Sequence, residues 1–114
     1  MTSNLQTVIY PVRDLAGAKA LYGSVLGGAD PVMDQPYYVQ YNVGGLEIGL
    51  DPHGHNKGMT GPVAYWKVPD INAAFATLIA SGAQQVQGVC DVGGRLIATV
   101  QDADGNTVGL LQEA

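Results

Sequence analysis

The 114-residue chain is predicted to adopt an α+β fold of two tandem β-α-β-β-β modules whose curved mixed sheets surround a cleft. Two duplications and one periodicity predict it. Val12-Arg13-Asp14-Leu15 returns as Val68-Pro69-Asp70-Ile71, 56 positions on, each time behind an apolar strand-like run, TVIYPV and PVAYWKV. Gly45 to Leu50 returns as Gly105 to Leu110, 60 positions on, with the same order of glycine, two variable residues, a β-branched residue, glycine and leucine. Between these landmarks the apolar residues change from strand spacing to helical spacing and back in both halves.

Each element follows from local chemistry. In the first half, a strand over TVIYPV leads to Asp14, whose carboxylate can cap the unpaired amides of a helix carrying Leu15, Ala18, Tyr22, Val25 and Leu26 on one side. Gly27-Gly28 ends that helix. Short runs around 31–33, then 36–43 with Tyr37, Tyr38 and Tyr41, then 46–50 read as strands. The second half repeats the plan: PVAYWKV, the cap Asp70, a helix with Ile71, Ala74, Phe75, Leu78 and Ile79, a stop at Gly82, and strands over 85–90, 95–101 and 107–111. Tyr10 and Trp66 alternate onto the helix side and are expected in the core. The stretch PHGHNKGMT, 52–60, is polar and glycine-rich and reads as a linker. The whole is one domain, 1–114, with module one over about 5–51 and module two over about 61–112.

Composition limits the function. The chain is 46% hydrophobic and 13% charged, as in ordinary globular proteins. A net charge of −5 with five scattered basic residues argues against nucleic acid as a partner. No stretch resembles a membrane span or a secretion signal, so no membrane partner and a cytoplasmic location are expected. Cys90 is the only cysteine, which excludes an intrachain disulfide and a C-x-x-C pair, and it reads as a buried structural thiol.

The two modules, the paired V-x-D-[LI] helix starts and Asp102-Ala103-Asp104-Gly105-Asn106 before the last strand together resemble the glyoxalase, bleomycin-resistance and extradiol-dioxygenase superfamily, the vicinal oxygen chelate proteins. The turn is similar to the D-P-D-G-N of that family with alanine in place of proline, and the resemblance covers roughly residues 5 to 112. It implies metal ligands on the first and last strand of each module in the family's metalloenzymes. The matching positions here are Thr7, Gly49, Val63 and Gly109, none of which is His, Glu, Gln or Asp. No metal and no cofactor is therefore expected. A register slipped by two would bring Glu47 to the second slot, but the match of Ile48 with Val108 and Leu50 with Leu110 argues against the slip. The resemblance also implies a homodimer.

Alternation along the strands extends the site from these slots. Ile9 joins Thr7; Glu47 and Asp51 join Gly49; Tyr65, and with it Lys67, joins Val63; Thr107 and Leu111 join Gly109; Arg95, Ile97 and Thr99 come from the preceding strand. Tyr37 and Tyr41 take one face of their strand and Tyr38 the other, and either face could stack on a planar ligand; Tyr38 is assigned to the site. The paired glycines read as volume cleared for a larger or flatter ligand, with strand curvature at a bulge as the structural alternative. His53 and His55 read as exposed loop residues rather than ligands.

The expected function is metal-free binding of a small molecule, aromatic or bulky, of the kind sequestered in antibiotic resistance. A metal-independent enzyme, with Glu47, Tyr65 or Arg95 as acid, base or oxyanion partner, is the alternative. A metal-dependent lyase or dioxygenase using Glu47 and the loop histidines comes third.

Overall fold

The computed structural model describes residues 4–113. Eight strands and two α-helices follow in the order β1 (Leu5–Pro11), α1 (Leu15–Val25), β2 (Met33–Gln35), β3 (Tyr38–Val43), β4 (Leu46–Asp51), β5 (Val63–Lys67), α2 (Ile71–Ala80), β6 (Gln84–Val92), β7 (Arg95–Gln101) and β8 (Thr107–Gln112) among the described residues. The described residues form two compact units, Thr7–Val63 and 64–113, the second taking in residues 4–6 as well.

In the first unit the strands run in the order β2-β3-β4-β1. β1 and β4 are parallel, with Thr7 opposite Glu47 and Ile9 opposite Gly49, while β3 is antiparallel to both of its neighbours. The parallel pair requires a crossover, and α1 supplies it. Asp14 caps α1 by accepting from the Gly17 amide at 3.1 Å. One face of the helix, Leu15, Ala18, Tyr22 and the following Leu26, closes over Val12, Val39, Tyr41, Ile48 and Leu50. Tyr10 and Tyr22 meet at 4.7 Å between ring centroids, and the Tyr41 hydroxyl donates to the Lys19 carbonyl at 3.3 Å.

The second unit repeats the plan in the order β6-β7-β8-β5, with β5 parallel to β8. Asp70 caps α2 through the Ala73 amide at 3.1 Å, and the Gln112 side chain accepts from the Ile71 amide at 2.8 Å. Ile71, Ala98 and Leu110 form the buried centre, covered by Ala74, Phe75, Leu78, Val89 and Leu96. The hairpins β3–β4 and β6–β7 turn at Gly44-Gly45 and Gly93-Gly94, all at positive φ, the conformation that two-residue hairpins need and side chains resist.

Several expectations are corrected. Residues 36 and 37 form the turn between β2 and β3 rather than strand, since proline favours the second position of a turn and cannot donate to a ladder; Tyr37 is consequently exposed. Trp66 is not core but 38% exposed, and Val25 lies on the solvent side of α1. Cys90 is half-buried. The linker contains a 3-10 turn at His55–Lys57, and Asp51 accepts from the His53 amide before it and from Lys57 at its end.

Candidate functional site

The helix in each unit covers only one face of its sheet, so alternation leaves the complementary residues on the other. In the first unit that face carries Thr7 and Ile9 from β1, Tyr38 and Gln40 from β3, and Glu47 and Gly49 from β4. Thr7 is 3% exposed and donates its hydroxyl to Glu47 Oε1 at 2.8 Å, across the parallel pair that sets the two residues opposite each other. The half-buried carboxylate is thereby held in one orientation.

Gly49 supports a ring rather than an empty space. A Cβ at this position would collide with the Tyr38 hydroxyl and lie 2.6 Å from its Cζ, so the phenol rests on the bare backbone of β4. The second unit uses the same device from a different strand. A Cβ at Gly109 would lie 2.6 Å from Cδ1 and 2.8 Å from Cγ of Tyr65, the residue paired with it on β5. The expectation that both glycines clear vacant volume is thus corrected: each clears room for a tyrosine of its own unit.

Around Tyr65, which is 5% exposed, the helix-free face of the second unit forms two rows. Cross-strand pairing aligns Tyr65, Gly109, Thr99 and Gln87 in one, and Lys67, Leu111, Ile97 and Cys90 in the next. Gln87 and Cys90 were not assigned to the site from sequence. They lie three residues apart, which in a regular strand means opposite faces, but the register of β6 against β7 shifts twice, between Gln85 and Gln87 and again before Cys90. Their side chains meet, Gln87 Nε2 lying 3.2 Å from Cys90 Sγ.

Two assigned residues are engaged elsewhere. Asp51 is buried, and its carboxylate accepts from the His53 amide and from Lys57 Nζ, both at 2.8 Å, which ties down the linker. Arg95 opens β7 and pairs through Nε with Glu113 Oε1 at 2.8 Å. Val63 is 1% exposed. A shallow groove of about 430 Å³ lies on the helix side of the first unit, beside the Lys19–Asp34 ion pair, apart from all of these residues.

The four slots implied by the family resemblance do not fit a divalent ion. They hold a hydroxyl committed to Glu47, an apolar Val63 and two glycines beneath tyrosine rings. Among the described residues no three His, Cys, Asp or Glu side chains gather to hold a metal. His53 is exposed as expected, but the expectation for His55 is corrected: it is half-buried, its Nδ1 enclosed without a hydrogen-bond partner.

No protein-family model matches the sequence. No curated protein matches it. Solved structures do. A glyoxalase/bleomycin resistance protein/dioxygenase superfamily member from Vibrio splendidus 12B01 aligns with a TM-score of 0.73 at 17% identity, covering 98% of this chain and 100% of that one. Methylmalonyl-CoA epimerase from Mycobacterium tuberculosis aligns at 0.68 and 19% identity, covering 100% and 92%. A Legionella pneumophila structure described as an NAD-dependent benzaldehyde dehydrogenase aligns at 0.74 and 14% identity, covering 95% and 98%. At such identities the likeness concerns fold, and the divergent names illustrate that one fold carries many activities. The chain has the glyoxalase/bleomycin-resistance fold.

Proposed function

We propose that the chain is a metal-free small-molecule-binding protein of the glyoxalase/bleomycin-resistance type, which sequesters an aromatic or bulky natural product. The observation that carries this reading is the content of the four ligand slots, where a divalent ion would need several converging N or O donors. On the helix-free face of each unit stand apolar side chains, one tyrosine ring over a glycine and a few polar groups, the usual make-up of an organic ligand site. Self-resistance or antibiotic resistance is the corresponding role.

Mass spectrometry of the protein as purified, followed by calorimetric titration with aromatic antibiotics and flavins in the presence of chelator, tests the reading. Saturable binding of an unaltered ligand supports it. Stoichiometric bound metal, or turnover of the ligand, overturns it.

A second reading, a metal-independent enzyme, rests on Glu47. A carboxylate oriented by a buried threonine hydroxyl is suited to proton transfer. Glu47→Gln would then abolish turnover while leaving ligand affinity within about threefold; equal loss of both returns Glu47 to a binding role. We further propose a homodimer, which sedimentation at micromolar concentration tests, a monomer being the contrary result.

A further inference from the structure

We propose that Tyr38 is a displaceable self-ligand, and that the cradle over Gly49 is the subsite in which a phenol-sized ring of the bound molecule takes its place. The inference rests on the binding reading above and names the part of the ligand that this face recognises.

The three atoms nearest a Cβ built on Gly49 are the hydroxyl, Cζ and Cε1 of Tyr38, so the outer end of one side chain fills the cradle. Gly49 has no positive φ, and its backbone does not require glycine. The glycine therefore serves the ring above it. Gly109 differs. There the Ala64 carbonyl oxygen closes the space at 2.9 Å beside Tyr65, whose ring comes from the directly paired residue in mid-strand and is 5% exposed.

Tyr38 is placed to move. It is the first residue of β3, it follows the turn at Pro36 and Tyr37, and it is half-buried. Rotation about its side-chain torsions lifts the phenol without disturbing Val39 and Tyr41, which lie on the opposite face in the core. The freed cradle is a strip of β4 backbone flanked by Ile9 and Gln40, the residues paired with Gly49. A ring of the same size reoccupies it. While the protein's own phenol holds the subsite, apparent affinity falls by the fraction of molecules in which the cradle is open.

The experiment uses 4-methylphenol, the tyrosine side chain without its backbone, titrated against the full chain by NMR with ring-labelled tyrosine. Tyr38→Ala is expected to bind it about tenfold more tightly than wild type, the factor for a cradle self-occupied in about nine molecules of ten. Tyr38→Phe, which keeps a ring, is expected to resemble wild type. Adding Gly49→Ala to Tyr38→Ala fills the cradle and is expected to remove the gain. In wild type at saturation, the Tyr38 resonances, identified by their loss in Tyr38→Phe, are expected to shift.

Equal affinity in wild type and Tyr38→Ala overturns the proposal, as does binding that persists in the double variant or an unmoved Tyr38 at saturation. None of these outcomes depends on metal or on the natural ligand. Failure here therefore leaves the metal-free reading standing, and bound metal in the purified protein removes that reading without touching the cradle.

Discussion

At the scale of single residues, the two glycines inside strands are unequal although the sequence presents them as a pair. At Gly109 an added Cβ meets Tyr65 Cδ1 at 2.6 Å and the Ala64 backbone oxygen at 2.9 Å. A backbone atom in a parallel ladder cannot withdraw, so Gly109→Ala is expected to cost about 2–3 kcal/mol, the upper range for overpacking. At Gly49 the obstacle is the far end of a rotatable side chain. Gly49→Ala is accordingly expected to cost about 1 kcal/mol or less, by expelling the Tyr38 ring. Urea unfolding of both variants checks the order, and a larger loss at Gly49 would contradict the geometry. The alternation that set Ile9 beside Thr7 and Glu47 beside Gly49 was legible because those strands are regular, whereas the face of Tyr38 was left open. What lies over the glycines was not, since a ring crossing from a neighbouring strand leaves no mark in the sequence around the glycine. Asp51 shows the same limit: its parity was readable, but its hydrogen bonds to the linker were not.

Elements are set by caps and turns that the sequence states openly. Asp14 and Asp70 cap their helices through the amide three residues on, and each Asp→Ala variant is expected to lose about 1 kcal/mol in thermal or urea unfolding. The turn before β8 has a pH signature. Asp102 Oδ1 accepts from the Asn106 amide at 2.8 Å and the Asp104 amide at 2.9 Å, while Oδ2 accepts from the Asn106 side chain at 3.1 Å. The Asn106 backbone bond foremost, then its side-chain bond, holds the carboxyl below its ordinary 3.8. A depressed folded-state pKa adds stability above the unfolded value and loses it as pH falls through the folded one. Wild type is therefore expected to lose its advantage over Asp102→Asn only below about pH 3.8, and a gap that persists into stronger acid would show that the carboxylate's charge is not responsible. The less legible elements are those where pairing overrides local pattern. β2, expected around 31–33, lies at Met33–Gln35, and since all three of its residues are exposed no core face fixed its bounds. The double register shift in β6 moved Gln87 and Cys90 onto one face against their spacing.

For the molecule as a whole, duplication made the architecture legible: two units, each with a crossover helix, one covered sheet face and its own buried cluster. The chemistry of the other face is harder to read, because the fold is shared by proteins of divergent names at under 20% identity. The content of the ligand slots, rather than the fold, then discriminates. A site that bound a divalent ion with free metal at about a hundred times its Kd would stabilise the folded state by about 2.7 kcal/mol. For a domain of this size that corresponds to a shift in Tm of the order of 10 °C, since 1 kcal/mol moves it by about 4–8 °C at 60–100 residues. Neither removal of metal by chelator nor addition of zinc, manganese or nickel is expected to move Tm by more than about 1 °C if Thr7, Val63, Gly49 and Gly109 stand where ligands would be. Thermal unfolding in chelator and in each metal measures this directly. A rise of several degrees with one metal, lost in Glu47→Gln, would place a donor at Glu47 and return the chain to the metal-dependent side of its fold.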